Sequence, residues 1–258
     1  MIGILTFQTT NNFGAYLHTV ALARKVKELG YDCEVIDYLC PELIRRETAS
    51  FKMRRNIRGF ISYALYGRDL KQKFNILAKE LRSLTDVGPS YTPENINEAN
   101  NRYSSFLLGS DVVWSLRVSN NDYNYFLAFA DDDKKKLAFS SSVGETDLYR
   151  DDPHLPTLLN RFDDIAVREE EAVEWVKAIS GKNCSYVCDP TMLYDRQSWD
   201  EILSPKEYRS DYVLIYFSDS QGKLNRDAVD YAKKHQLKIK IIGYGRPEAG
   251  METARPKT

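Results

Sequence analysis

The chain has 258 residues, of which 43% are hydrophobic and 28% charged, a balance that allows a substantial core and excludes intrinsic disorder. Lys and Arg number 36 against 37 Asp and Glu, so the formal net charge of -1 argues against a nucleic-acid-binding protein. The four cysteines and three histidines lack the spacing of a zinc site or a disulfide framework, and we predict neither.

The start of the chain, Met-Ile-Gly-Ile-Leu-Thr-Phe, enters a predicted strand at once, without the basic region or cleavage site of a secretory signal. No apolar run in the sequence approaches the ~20 residues of a membrane span. We therefore expect a soluble cytoplasmic protein.

The first predicted elements are a strand over residues 2–7, a helix over 15–29 that Gly30 ends, and a strand around residues 33–36. Together they form a βαβ unit. The turn after the first strand offers Asn11, Asn12 and Gly14 to an anion or a hydroxyl-rich ligand, since free N–H groups point outward at a helix N-terminus. Capping of the helix by an asparagine is the alternative interpretation. The turn has neither G-x-G-x-x-G nor a Walker lysine.

Residues 40–84 are helical in pattern and basic, and we interpret a region of about 40–100 as a helical insertion in the first domain. Its basic segment, residues 45–58, has two interpretations. One is a solvated helix face, and the other is a peripheral contact with a membrane surface or a polyanion.

Further strands are predicted in "SFLLGS", "KKKLAFSSSVGE", "FDDIAV" and "CSYVCDP", with helical segments between them. This alternation predicts an α/β fold with a Rossmann-like, doubly wound parallel sheet. We assign residues 1–195 to this N-terminal domain. Residues 196–258 read as a linker helix and one further βαβ unit, hence as an incomplete second domain. Uncovered apolar sheet faces there would favour association, so we expect a homo-oligomer.

Ligands of open α/β sheets bind beyond the carboxyl ends of the strands, which selects the candidate site residues. Besides the asparagine turn, the substrate-binding candidates are Gly109, Ser110, Ser141 and Gly144. Asp111 is a candidate hydrogen-bond acceptor or general base, with a turn residue that bonds its own backbone as the alternative.

Two basic side chains complete the set of candidates. Arg168 begins a helix just after a strand, where the helix dipole disfavours a cation, and this favours a functional or ion-pairing role. His18 lies within about one turn of Gly14 and is a candidate acid/base group, although a helical histidine is usually a structural residue. Asp189-Pro190 reads as a linker turn.

Five segments, in this order, resemble the polysaccharide pyruvyl transferase family. They are "NNFGAYLHTVALARKVKELGYDCEVIDY", "FLLGSDVVW", "YFLAF" with "KKKLAFSSSVG", "DDIAVREEEAVEWV" and "YVCDPTMLYDRQSW". The resemblance implies a two-domain fold like that of GT-B glycosyltransferases, with the active site between two Rossmann-like halves. It also implies transfer of pyruvyl from phosphoenolpyruvate, as donor substrate and without a cofactor, to two hydroxyls of a sugar in a bacterial surface polysaccharide or its lipid-linked precursor.

The resemblance further implies a role in exopolysaccharide and cell-envelope biosynthesis, in the cytoplasm and at the inner face of the membrane. The chain departs from the family where His18 and Val112 stand in place of glutamines, and no Ser-x-His-Gly segment follows in the second half. A truncated or inactive transferase is therefore one hypothesis. The alternatives are a GT-B-like glycosyltransferase using a nucleotide-sugar donor and a non-catalytic scaffold that binds the acceptor. A Rossmann oxidoreductase is disfavoured by the missing glycine fingerprint.

Overall fold

The computed structural model of the protein describes residues 1–48, 61, 67–144, 151–203, 211–216, 223–242 and 252–253. The chain divides into two compact units, Met1–Ile202 and Leu203–Thr258. Among the described residues, no helix combines the length and the apolar character needed to cross a membrane.

Unit 1 is built from seven strands and eight helices within its described residues. The strands are β1 (Ile2–Leu5), β2 (Cys33–Tyr38), β3 (Val87–Tyr91), β4 (Ser105–Leu108), β5 (Lys135–Ser141), β6 (Asp164–Val167) and β7 (Ser185–Tyr186). The helices are α1 (Phe13–Glu28), α2 (Pro41–Thr48), α3 (Arg68–Leu84), α4 (Ala99–Arg102), α5 (Leu116–Ser119), α6 (Leu155–Asn160), α7 (Glu170–Ser180) and α8 (Arg196–Leu203), the last ending at the unit boundary. Short 3-10 helices span Ile96–Glu98, Tyr123–Phe126 and Pro190–Leu193.

The seven strands form one parallel sheet in the order β3-β2-β1-β4-β5-β6-β7. The order runs outward from β1 in both directions, so helices flank the sheet, and the Rossmann-like doubly wound prediction is confirmed. The direction in which successive strands are added to the sheet reverses between β1 and β4, which are parallel neighbours with Ile4 opposite Leu107. Ligand sites of such sheets lie at this switch point, which directs attention to the carboxyl ends of β1 and β4.

The central strands are apolar because both faces of the sheet are covered. Ile4, Val35 and Phe106 are fully buried, as expected for parallel strands with helices on both sides. Helix α1 ends at Glu28, and Gly30 just beyond it has a φ of +87°, the left-handed conformation that glycine adopts without steric cost. These features agree with the strand and helix pattern of the sequence.

An aromatic cluster around Trp114 packs in the core beside the segment that follows β4. The Trp114 ring stacks at 5.7 Å on Phe126 and at 6.3 Å on Trp175, and its edge contacts Phe162. Trp114 follows the turn of Asp111 by three residues, and its backbone N–H donates to the Ser142 carbonyl at 3.1 Å. The cluster therefore anchors the segment after β4 against the end of β5.

The region interpreted as a helical insertion contains α2 and α3 but also β3, a strand that the sequence analysis did not foresee. Its sequence Val-Gly-Pro-Ser-Tyr carries glycine and proline, which disfavour strands in general, but proline is tolerated on an edge strand and β3 is the sheet edge. Of the basic segment 45–58, residues 49–58 lie outside the described residues. In α2, Arg45 pairs with Glu42 on an exposed face.

In unit 2, β8 (Tyr212–Tyr216), β9 (Lys238–Ile242) and β10 (Glu252–Thr253) form a parallel three-stranded sheet, and α9 (Lys223–Lys234) packs on one face. Ile215, Ile239 and Ile241 are buried under α9, whereas Leu214 and Tyr216 are exposed. The second βαβ unit has the predicted order of elements. Association through the exposed apolar residues stays a prediction.

Candidate functional site

The carboxyl edge of the sheet gathers residues from four neighbouring strands. Asp111 follows β4, Ser140 and Ser141 end β5, and Arg168 follows β6. His18 lies on α1, the helix that leaves β1. Because β1, β4, β5 and β6 are consecutive in the sheet, side chains far apart in sequence meet at this edge.

His18 and Asp111 form a close pair within the fold. His18 Nε2 lies 3.4 Å from Asp111 Oδ2, and the two side chains are 3% and 16% exposed. The contact has the distance of an ion pair without the geometry of a hydrogen bond, and neither ring nitrogen of His18 has a hydrogen-bond partner among the described residues. The Val112 backbone N–H donates to Asp111 Oδ1 at 2.8 Å, which fixes the other carboxylate oxygen.

The surroundings of Asp111 keep its carboxyl group ionised. Burial by itself acts to raise the pKa of Asp111, but His18, the Val112 N–H and the charge of Arg168 outweigh it and lower the pKa below its usual value. A carboxylate held anionic beside an imidazole can orient a hydroxyl group and take up its proton through the pair.

A second group joins β4, β6 and the segment after β7. Asp189 Oδ2 accepts hydrogen bonds from Ser110 Oγ at 3.0 Å and from Arg168 Nη1 at 3.2 Å. Arg168 Nε donates to Glu169 Oε1 at 2.9 Å. Its guanidinium is thus held by two carboxylates, which answers the expectation of an ion-pairing role for this arginine.

Asp189 was interpreted from sequence as a linker turn, and the structure adds a second role. Its Oδ1 accepts from the Thr191 N–H and Oγ1, so it caps the following 3-10 helix, while Oδ2 faces Ser110 and Arg168. Burial acts to raise the pKa of Asp189, but Thr191, His18 and Ser110 together lower it. The sequence feature that could have indicated this second role is the position of Asp189 just after a predicted strand, at the same edge of the sheet.

Two residues of this edge have a strained backbone. Asp111 has φ of +86° and Ser140 has φ of +58°, both in the left-handed region that costs a non-glycine residue about 1 kcal/mol or more. The segments that carry them are hydrogen-bonded to each other, since the N–H of Ser142, two residues after Ser140, donates to the Asp111 carbonyl at 3.0 Å. Ser140 Oγ lies 3.4 Å from Ser110 Oγ, which links the strained positions to the Asp189 group.

The α1 N-terminus holds the other predicted residues. Asn12 caps the helix, because its Oδ1 accepts from the Gly14 N–H at 2.8 Å. Asn11 is 2% exposed, its backbone N–H donates to Glu47 Oε2 at 2.8 Å, and its Oδ1 has no partner among the described residues. No hydrogen bond or ion pair within the described parts of the chain joins these residues to the His18–Asp111 pair, and their contact with a substrate stays a prediction.

The two later glycines have clear packing roles. A Cβ on Gly109 would lie 2.5 Å from Thr6 Cγ2 and 2.9 Å from Leu22 Cδ2, so only glycine lets α1 approach the end of β4. Gly144 has φ of +76°, and a Cβ there would lie 3.2 Å from Val112 Cγ1. Ser141 Oγ donates to the Gly109 carbonyl at 3.1 Å. Substrate contact by these residues also stays a prediction.

The arrangement as a whole presents carboxylates, an imidazole and a guanidinium at one sheet edge. Within the described ranges, no three His, Cys, Asp or Glu side chains converge in the manner of metal ligands. The groups are suited to binding hydroxyls and to moving a proton, with Arg168 as the cation at the strand ends.

Comparison with known proteins adds one finding. No curated protein matches the chain significantly. The family model described as polysaccharide pyruvyl transferase matches residues 12–254. This match includes α1 with His18, the segment of Asp111, Arg168 and Asp189, and it extends through unit 2. The chain belongs to the polysaccharide pyruvyl transferase family.

Proposed function

We propose that the protein transfers the pyruvyl group of phosphoenolpyruvate to two hydroxyls of one sugar and thereby forms a cyclic ketal. The acceptor belongs to a bacterial surface polysaccharide or to its lipid-linked precursor. On this proposal the reaction takes place in the cytoplasm, at the inner face of the membrane when the acceptor is lipid-linked. The observation that carries the proposal is the buried His18–Asp111 pair at the carboxyl edge of a family member's first sheet.

The chemistry requires a proton acceptor for the sugar and a proton donor for the enol carbon. One sugar hydroxyl adds to C2 of phosphoenolpyruvate while the methylene carbon takes up a proton and becomes a methyl group. The second hydroxyl then attacks C2 and the C2–O bond to phosphate breaks, which releases inorganic phosphate. Of the two protons lost by the hydroxyls, one balances the methyl group and the other leaves with phosphate or solvent.

We assign the acceptor hydroxyl to the His18–Asp111 pair. Asp111 is anionic and faces His18 Nε2, so the pair can receive a hydroxyl proton without leaving an isolated buried charge. Arg168 supplies positive charge beside Ser110, although Glu169 and Asp189 neutralise much of it. Arg168 therefore acts mainly by fixing the positions of Ser110 and Asp189 beside Asp111, where the acceptor sugar would bind.

The test is incubation of the full chain with phosphoenolpyruvate and a panel of methyl glycosides, with phosphate release and the ketal methyl signal in proton NMR as readouts. We expect both signals to appear together and to be lost in Asp111→Asn. Phosphate release without a ketal methyl signal would contradict pyruvyl transfer. In a parallel incubation, a nucleotide sugar replaces phosphoenolpyruvate, and turnover of that donor would indicate a glycosyltransferase.

A further inference from the structure

The first strand of the unit 2 sheet has one side without a partner strand. Within the described residues, this sheet has the order β10-β9-β8, and β8 pairs only with β9. The outer side of β8 is therefore an open edge. In unit 1, by contrast, the first strand β1 pairs on both sides, with β2 and with β4. An open edge presents backbone N–H and C=O groups that can pair with a strand of another chain.

The register of β8 and β9 shows which backbone groups point outward. Tyr212 lies opposite Lys238 in this parallel pair, and the Lys238 N–H donates to the Asp211 carbonyl at 3.0 Å. Because the hydrogen-bonding groups of a strand alternate between its two sides, every second residue from Asp211 onward bonds to β9. The residues whose N–H and C=O groups point to the open edge are Tyr212, Leu214 and Tyr216.

The open edge lacks the features that usually protect a sheet edge. Proline, charged side chains and short strands prevent an edge from binding another chain. In unit 1, the edge strand β3 contains Pro89, and the opposite edge strand β7 has only two residues. The strand β8 has five residues, Tyr-Val-Leu-Ile-Tyr, without a proline or a charge. Its composition therefore favours pairing with a further strand.

The strand β8 is complementary to a second copy of itself. In an antiparallel pair centred on Leu214, each Leu214 lies opposite the same residue of the other copy, and Tyr212 lies opposite Tyr216. The outward-pointing residues then meet one another and form about six backbone hydrogen bonds. Aromatic side chains that lie opposite each other stabilise such a pair. Since β8 has no charged side chain, the two strands meet without repulsion.

Charges on the uncovered face of the same sheet disfavour the stacking of two faces as an alternative. Helix α9 covers one face, and Leu214 and Tyr216 are exposed on the other. The register places Lys238 and Lys240 on this second face, beside Tyr212 and Leu214. The Lys240 Nζ lies 4.1 Å from the centroid of the Tyr212 ring. Two stacked faces would bring the lysines of both copies together, whereas edge pairing leaves them in solvent.

We infer that two copies of the chain associate through β8, by antiparallel pairing about a two-fold axis at Leu214. The two three-stranded sheets become one continuous sheet of six strands. Both copies of α9 lie on the same face of this sheet, because side chains that lie opposite each other share a face. The two-fold axis closes the assembly at two copies. This contact is independent of pyruvyl transfer and assigns the expected association to one strand edge.

The mass of the full chain in solution, measured by light scattering over a concentration series, tests the association. We expect a species of twice 29.8 kDa that dissociates on dilution. Leu214→Lys places like charges opposite each other at the axis and should give the mass of one chain at every concentration. Leu224→Lys is the matched control, because Leu224 lies on α9 and is 56% exposed against 50% for Leu214. It should dimerise like the wild type.

A charge swap tests the position of the two-fold axis. Leu214→Glu alone should also be monomeric. An equimolar mixture of Leu214→Glu and Leu214→Lys should form dimers, because residue 214 of one copy lies opposite residue 214 of the other and the charges then attract. Dimer formation in the mixture also shows that both variants are folded.

Hydrogen exchange followed by NMR gives a measurement on the wild type without a substitution. The amides of Tyr212, Leu214 and Tyr216 should exchange slowly in the dimer and faster after dilution, since their partners are in the second copy. The amides of Val213 and Ile215 should stay protected at both concentrations, because they bond to β9 in the same chain.

Three outcomes overturn the inference. The wild-type chain is monomeric at every concentration, Leu214→Lys associates like the wild type, or the mixture of the Leu214→Lys and Leu214→Glu variants stays monomeric. Pyruvyl transfer is measured separately by the ketal methyl signal. Failure of the transfer reaction with a dimer present therefore leaves the assignment of the β8 edge in place.

Discussion

Ser110 and Asp189 are 79 residues apart in the chain, yet Ser110 Oγ donates to Asp189 Oδ2 at 3.0 Å. Arg168 donates to the same carboxylate oxygen, so the segments after β4 and β6 share one acceptor on the segment after β7. The ionised state of Asp189 is therefore tied to the position of Ser110, the residue that precedes the proposed acid/base residue Asp111.

Replacement of Asp111 tests the acid/base assignment. Asp111→Asn keeps the size of the side chain but removes the charge opposite His18, and we expect kcat for ketal formation to fall by about 10²- to 10⁴-fold, the usual contribution of a general base. The KM for phosphoenolpyruvate should change little. The control is Asp86→Asn, which alters an exposed carboxylate paired with Lys27. Equal activity of both variants would contradict the assignment.

The stability of unit 1 should depend on pH through Asp111 and Asp189. Both have a folded-state pKa below the usual value, whereas an unfolded Asp titrates near 3.9. Between these values the unfolded chain binds more protons, so stability rises with pH. The contribution is fully present above pH about 4 and is lost as the pH falls through the folded-state pKa.

Urea unfolding of the wild type and Asp189→Asn at several pH values measures this dependence. We expect the wild type to be more stable near pH 6, with the difference shrinking as the pH falls below about 4. A difference that stays constant over this range would show that the ionisation of Asp189 does not stabilise the fold.

Replacement of Arg168 by lysine tests its forked contacts. Lysine keeps the charge but cannot donate to Glu169 and Asp189 together in the same geometry. We expect Arg168→Lys to lower the free energy of unfolding by about 1–3 kcal/mol, since hydrogen bonds between charged groups are lost at a half-buried site. Arg102→Lys is the matched control, because Arg102 makes a similar forked contact with Glu34 at the surface and should cost under about 1 kcal/mol.

Gly109 is predicted to be intolerant of a methyl group. Gly109→Ala places Cβ against Thr6 and Leu22 and should destabilise the protein by about 1–3 kcal/mol. Gly14→Ala, in the first turn of α1, is the control, because the atom nearest to its added Cβ belongs to the flexible Asn12 side chain at 3.2 Å. Denaturant midpoints of the two variants decide the point. If Gly14→Ala is stable but loses substrate binding, the close approach of a ligand to this turn is supported.

The capping role of Asn12 gives a separate stability prediction. Asn12→Ala removes the acceptor for the Gly14 N–H and should cost about 1 kcal/mol, whereas Asn12→Asp keeps an acceptor and should cost little. Thermal unfolding measures both. If Asn12→Ala leaves stability unchanged but abolishes substrate binding, the residue acts on the ligand more than on the helix.

Much of this fold follows from the sequence because buried parallel strands are apolar and end in polar turns. This pattern predicts the polar segments after β4, β5 and β6. That these segments lie next to one another follows once the strand order is known. The strand β3 was not predicted because glycine and proline are poor strand residues except at a sheet edge. Whether a strand lies at the edge depends on the order of all strands in the sheet.

The details of the site depend on conformation that a sequence does not display. The left-handed backbone of Asp111 and Ser140 is unusual for these residue types, and it is maintained by the surrounding sheet and core. The second role of Asp189 needs the 79-residue separation from Ser110 to be closed by folding. At the asparagine turn, in contrast, the local structure was predictable, since capping by Asn12 was one of the two interpretations of its sequence.

The parallel order of the sheet has a consequence for how the protein folds and is protected. All neighbouring strands in unit 1 are parallel, and β1 and β4 pair although β2 and β3 lie between them in the chain, so the carboxyl edge exists only after distant segments have closed against each other, which slows folding. In a partly folded chain, the His18–Asp111 pair is therefore not formed, and a ligand cannot bind to it. A ligand at this edge binds only the native state, and by mass action it should stabilise all of unit 1 against unfolding and against proteases that cleave unfolded chains.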